Sequence, residues 1–167
     1  MNFFKCVLAL SGAFLLLSGA AQARDWGTET KEDVFTGKQT AVMIAGLSKP
    51  MSLYFSCDAD HQVRLAVIFK VNEVAEDVPA TLVMKVDNGE AVKFDVTSYQ
   101  HNDEYGGFHT VSGNILVADL VKSVGQAKSR LLVGLDIPLT GVKDSDEFSI
   151  RGSTAAANEF IKACEIK

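Results

Sequence analysis

Residues 81–96 read TLVMKVDNGEAVKFDV, and this stretch predicts a β-hairpin. On each side of Asn88-Gly89, apolar residues recur at every second position, which is the period of a strand with one buried face. Asn-Gly supplies the positive φ values that a tight hairpin turn needs. We therefore expect strands over 81–86 and 91–96, joined by a turn in which Asn88 and Gly89 hold the positive φ.

Segments on both sides of this hairpin show a strand or a helix pattern. Alternating or β-branched runs predict further strands over residues 26–30, 39–45, 51–57, 63–71, 108–111, 130–138 and 147–151. Apolar residues spaced four apart predict a helix over 115–124, and a second helix is expected over 154–164, with Ser153 as its N-cap. The chain is therefore predicted to be mainly β: an antiparallel β-sandwich or barrel of about eight strands with one mid-chain helix and a C-terminal helix.

Length and composition limit the classes of protein that fit. A chain of 167 residues suits one domain, and 47% hydrophobic with 22% charged residues is ordinary for a globular fold. The formal net charge of −5 argues against a nucleic-acid partner, which needs a basic face.

The first 23 residues have the pattern of a signal peptide. Lys5 begins it, an uncharged apolar run follows, and Ala21-Gln22-Ala23 is an A-x-A cleavage site. We expect cleavage after Ala23, leaving residues 24–167 as a single β-rich domain that is periplasmic or secreted. The apolar run of the leader is shorter than a membrane span, and no later run is long enough, so no membrane span is expected in the mature chain.

Two cysteines, Cys57 and Cys164, remain after the expected cleavage. An even cysteine count in an exported chain indicates a disulfide, and two cysteines permit one intramolecular pairing. The alternative is a redox pair or a metal site. Neither cysteine stands in a C-x-x-C spacing, which favours the structural disulfide.

The order of several short segments resembles that of the VasI family, the exported accessory proteins of type VI secretion. The segments that carry the resemblance are WGTET (26–30), LYFSC (53–57), LAVIF (65–69), MKVD (84–87), FSIRG (148–152) and the terminal helix at 155–164. The resemblance implies a small periplasmic or envelope factor with an early and a terminal cysteine paired, and it transfers no catalytic residue.

No motif for catalysis, a cofactor or a metal stands out. The sequence contains no G-x-S-x-G, no S-x-x-K and no glycine-rich phosphate loop, so we assign no catalytic residue and no cofactor. The His101-Asn102-Asp103-Glu104 run with His109 matches no known metal-ligand spacing. The Asp58-Ala59-Asp60-His61 run lacks the glycine and distal glutamate of an EF-hand. We therefore predict no metal site.

Residues 98–107, SYQHNDEYGG, are predicted to form a polar, aromatic surface loop. A buried strand would leave their amide and carboxylate side chains unpaired. Aromatic side chains on such a loop are efficient contact makers, so Tyr99, His101, Tyr105 and Phe108 are the candidate contact residues. The alternative is that Tyr105 and Phe108 anchor the loop on the domain.

These observations favour an exported, non-enzymatic binding module for a protein or a cell-wall component of the envelope. The alternatives are a small envelope hydrolase, an inhibitor of a hydrolase, or a factor similar to the invasion-associated locus B family. That last family also has a signal peptide and a small β domain, and it usually carries more cysteines than this mature chain.

Overall fold

The computed structural model describes residues 25–167; the predicted signal peptide at 1–23 lies outside the described residues. The strands are β1 (Trp26–Glu32), β2 (Gln39–Ala45), β3 (Met51–Cys57), β4 (Val63–Lys70), β5 (Pro79–Val86), β6 (Val92–Asn102), β7 (Tyr105–His109), β8 (Arg130–Ile137) and β9 (Val142–Ser149). The helices are α1 (Ile115–Gly125) and α2 (Ser153–Ala163). The prediction of a mainly β chain with one mid-chain and one C-terminal helix is confirmed.

The nine strands form one antiparallel sheet in the order β1-β2-β3-β4-β7-β6-β5-β8-β9. The sheet curls into a half-barrel, so the barrel-like alternative describes it better than a two-sheet sandwich. Its edge strands approach each other at one end, where Trp26 Nε1 donates to Ser149 O at 2.6 Å and Asp25 N donates to Arg151 O at 3.1 Å.

Alternation along the strands gives the sheet two different faces. One face is buried and packs with both helices around a core whose largest aromatic members are Trp26, Phe55, Phe94, Phe148 and Phe160. The opposite face carries no helix among the described residues, and we call it the open face. The aliphatic side chains are concentrated on the helix-covered face, since burying them there provides most of the folding free energy.

A disulfide joins Cys57, at the end of β3, to Cys164, directly after α2. The two Cα atoms are 6.0 Å apart, and 107 positions separate the cysteines in the chain. Both cysteines are buried. The bond predicted from the cysteine count is therefore present, and it fastens the C-terminal helix to the sheet.

The start of α2 differs from the prediction that Ser153 caps it. The N-cap is Gly152, with φ of 92°, and Ser153 is the first helical residue. Ser153 is fully buried, and its hydroxyl donates to Val124 O at the end of α1, at 3.0 Å. The side chain therefore satisfies a carbonyl at the C-terminus of the neighbouring helix, where such groups lack an intrahelical donor.

The β5–β6 hairpin forms as predicted, but its turn uses a different residue. The positive φ belongs to Asp87, at 51°, and neither Asn88 nor Gly89 has one. The carboxylate of Asp87 accepts hydrogen bonds from the loop that precedes β8, and these contacts hold the turn. A tertiary contact therefore decides the backbone geometry of this turn, which differs from the geometry that the Asn-Gly dipeptide predicts locally.

The prediction of a loop over 98–107 is wrong. β6 continues to Asn102 and β7 begins at Tyr105, so the segment is most of a second hairpin. Its polar end projects beyond the core, where the Asn102 side chain accepts from the backbone N–H groups of Glu104 and Tyr105, both at 3.0 Å. Asn102, Asp103 and Glu104 are exposed, so the hairpin buries none of these amide and carboxylate groups unpaired, which removes the objection to a strand.

Candidate binding surface

The middle of the open face is built by four neighbouring strands, β3, β4, β7 and β6. Their register places Tyr54 opposite Ala66, and Ala66 opposite His109. Because side chains alternate between the two faces, Tyr99 and His101 of β6 lie on the same side as these residues. The strand pairing therefore gathers aromatic side chains from separate parts of the chain.

Four rings form what we call the aromatic cluster: Tyr54, Tyr99, His101 and His109. The ring centroids of Tyr99 and His109 are 4.6 Å apart, those of Tyr54 and His101 5.6 Å, and those of Tyr99 and His101 5.9 Å. Tyr99 Oη lies 3.4 Å from His101 Nδ1. These tilted and edge-on arrangements are the favourable ones for aromatic pairs.

The cluster covers apolar surface and remains partly accessible. Ala66 and Ile68 of β4 face the same side and are buried, although neither α1 nor α2 lies on that face. Tyr54 and Tyr99 are half-buried, while His101 is exposed. Rings fixed by a sheet on one side and open to solvent on the other lose little conformational freedom when a partner binds.

The electrostatics keep three of these rings uncharged near neutral pH. Burial raises the pKa of Tyr99 to about 12. Burial, with Tyr105 and Glu29 nearby, also raises the pKa of Tyr54. The pKa of His109 is lowered, first by burial and then by the positive charge of Arg64.

Arg64 supplies a cation beside this neutral patch. It is exposed on β4, and its guanidinium donates to Ser112 Oγ, with the Nε contact at 3.1 Å. The surface therefore offers aromatic area and one oriented positive charge, a combination that suits contact with another molecule.

The predicted contact residues lie on two different faces of the sheet. Tyr99 and His101 join the aromatic cluster, and Tyr105 is half-buried on the same face. Phe108 faces the core and is only 8% exposed, so it packs in the core and is not part of the accessible surface. The Tyr105 side chain is partly exposed on the open face, next to the aromatic cluster.

Two members of the cluster were not among the predicted contact residues. Tyr54 lies between Leu53 and Phe55 in a strand whose odd-numbered positions are buried, so its ring must face the other side. That alternation was a usable signal for Tyr54. His109 is brought in by the pairing of β7 with β4 and β6, which a single sequence does not reveal.

The other polar runs have structural roles in the described part of the chain. The Asp58 carboxylate accepts from the backbone N–H groups of Asp60 and Gln62, both at 3.0 Å, which closes the β3–β4 turn. Among residues 25–167, no group of three or more histidine, cysteine or acidic side chains is arranged to hold a metal ion. Within the same range, no helix is long and apolar enough for a transmembrane segment.

Comparison with known proteins returned no matching family model, no matching curated protein and no matching solved structure.

Proposed function

We propose that this protein is an exported, non-enzymatic binding protein that uses the aromatic cluster of the open face to contact a protein or a cell-wall component of the envelope. One observation carries the proposal. Tyr54, Tyr99, His101 and His109 converge on the open face of the sheet, with Arg64 beside them. Tyrosine and arginine are enriched among the residues that dominate binding energies in protein interfaces, which favours a protein partner.

The position of the cluster supports binding in preference to catalysis. Its side chains stand on neighbouring strands across a broad face, and catalytic groups normally converge within a concave, water-excluding site. Tyr54 and Tyr99 also have raised pKa values, which keeps their hydroxyl groups protonated and poorly suited to act as bases.

Export is the second part of the proposal. The charge, apolar run and A-x-A order at 1–23 support it, and the buried Cys57–Cys164 disulfide is typical of proteins from oxidising compartments. The resemblance to the VasI family supports an envelope location and, as a finer proposal, an accessory role in type VI secretion.

The test has two parallel arms, the first with purified mature protein and the second in cells. In the first arm the protein is sedimented with isolated cell-wall sacculi; in the second, a photoreactive amino acid at exposed position His101 is cross-linked in the cells that make the protein. A cross-linked protein is then purified and its affinity measured. We expect His101→Ala and Tyr99→Ala to weaken that binding, or the sedimentation, by at least about fivefold, corresponding to the 1 kcal/mol that marks an interface anchor.

Leu132→Ala is the matched control, because Leu132 is half-buried on the open face of β8, two strands away from β6. We expect it to bind as the wild type does. Equal loss in Leu132→Ala, or no binding in either arm, would contradict the proposal.

A further inference from the structure

The β1–β2 hairpin displays two large apolar side chains at its tip. Val34 is 86% exposed and Phe35 is 93% exposed. They are adjacent, so they form one apolar projection, which we call the hairpin tip (residues 33–38). Exposing an aromatic ring in this way gives the fold no stability, because the ring buries almost no surface.

The backbone of the hairpin tip is held in one shape. The Asp33 side chain accepts from the backbone N–H groups of Phe35, at 3.1 Å, and Thr36, at 2.8 Å, and from the Thr36 hydroxyl at 2.8 Å. Backbone bonds from Gly37 N to Asp33 O and from Asp33 N to Lys38 O, at 2.7 and 2.8 Å, close the turn. Gly37 has φ of 70°, a conformation that glycine adopts at little cost.

A surface ion pair links the tip to the β3–β4 hairpin. Lys38 Nζ lies 3.1 Å from Asp60 Oδ1 in the β3–β4 turn. Val34 and Phe35 are therefore presented on a prepared scaffold, which lowers the conformational entropy that a partner must remove on binding.

The charges around the tip bear on the nature of the partner. Glu32, Asp33 and Asp60 supply three carboxylates, against the two ammonium groups of Lys31 and Lys38. Attraction to an anionic lipid surface needs an excess of cations, and two apolar side chains are a small anchor for a membrane. A shaped apolar pocket on a protein, with cationic groups at its rim, complements the tip better than an anionic lipid surface does.

We infer that the hairpin tip is a docking element for a second protein, which receives Phe35, flanked by Val34, in an apolar pocket with a basic rim. The element is separate from the aromatic cluster and does not depend on the function proposed for it. A single aromatic side chain buried in a pocket is a common form of interface hot spot.

The first experiment replaces Phe35 by a photoreactive benzoylphenylalanine in the cells that make the protein. Leu139, which is 75% exposed in the β8–β9 turn, is the matched control position. We expect a cross-linked protein from position 35 and none of the same mass from position 139. No position-specific protein adduct from position 35 would overturn the inference.

The second experiment measures the affinity of the cross-linked protein, once purified, for the wild type and for variants. We expect Phe35→Ser to weaken binding by at least about tenfold, and Leu139→Ser to leave it unchanged. Because Phe35 is exposed, its replacement should not lower Tm. Wild-type affinity in Phe35→Ser, or a clear fall in its Tm, would overturn the inference.

A third experiment separates a protein pocket from a membrane. Mature protein is sedimented with phosphatidylglycerol vesicles, and we expect it to stay in the supernatant. Sedimentation that Phe35→Ser abolishes would show that lipid is the partner, and the inference of a protein pocket would be wrong.

Discussion

The Asp87 carboxylate accepts a hydrogen bond from the Ser129 hydroxyl at 2.7 Å, and this contact ties the β5–β6 turn to the loop before β8. The same carboxylate accepts from the backbone N–H groups of Lys128, Ser129 and Arg130, at 2.8, 2.7 and 3.1 Å. Together these bonds, the Ser129 hydroxyl first, hold the pKa of Asp87 far below its usual value. A charged carboxylate is therefore part of the folded structure.

Asp87→Asn should lower Tm at neutral pH, because the amide is a weaker acceptor than the carboxylate while it still tolerates the positive φ. The folded-state pKa is depressed, so the stabilisation is complete above the usual value near 3.8 and disappears as pH falls below it. The difference in Tm between Asp87→Asn and the wild type should therefore shrink in acid. Thermal scans at several pH values, with Asp103→Asn as an exposed control, would check this; a difference independent of pH would contradict it.

The disulfide should contribute a large share of the stability. A closed loop of this length stabilises by up to about 4–5 kcal/mol through the entropy of the unfolded chain. The Cys57→Ser/Cys164→Ser variant should therefore show a lower free energy of unfolding in urea. The denatured, unreduced mature protein should react with no thiol reagent, and labelling at both Cys57 and Cys164 would contradict this account.

Gly107 should resist substitution although it lies in a regular strand. A Cβ atom there would clash with Val67 O, and this backbone atom of the neighbouring strand cannot rotate away. Gly107→Ala should therefore push β7 from β4 and cost about 1–3 kcal/mol of unfolding free energy. Gly27→Ala in β1 is the control, because nothing lies within 4 Å of its added methyl group. Equal urea midpoints for Gly107→Ala and Gly27→Ala would contradict this, because they would show that β7 can move away from β4 at little cost in free energy.

Export makes a prediction that is independent of the fold. The A-x-A site predicts that the protein recovered outside the cytoplasm begins at Arg24. N-terminal sequencing of that protein checks it. A full-length chain retained in the cytoplasm would contradict the proposed location.

Much of the sheet could be predicted from alternation, because a strand with one buried face repeats every second residue. β2 and β3 have the predicted bounds, and Cys57 pairs with Cys164 as expected. The prediction failed at residues 98–107, since a hairpin that extends into solvent has the polar composition of a loop. Gly106 and Gly107 mark close packing there, since an added Cβ would meet Val74 or Val67.

The aromatic cluster could be predicted only in part. Tyr99 and His101 were recognisable as aromatic residues in a polar setting, whereas Phe108 next to them faces the core because of strand parity. The meeting of Tyr54 with His101 depends on the order β3-β4-β7-β6, in which β7 lies between strands distant in sequence. Hydrophobic periodicity gives the face of each residue but not the neighbours of its strand.

The affinity of the partner for the Tyr54→Ala/Tyr99→Ala variant, measured by calorimetry beside the wild type and Leu132→Ala, decides whether the aromatic cluster binds the partner. We expect loss of the two rings to weaken binding by at least about tenfold, equivalent to about 1.4 kcal/mol, while Leu132→Ala binds normally. The single substitution His101→Ala, at an exposed residue, should also weaken binding and should not lower Tm. Wild-type affinity in a folded Tyr54→Ala/Tyr99→Ala protein would contradict the claim that the aromatic cluster is the binding surface.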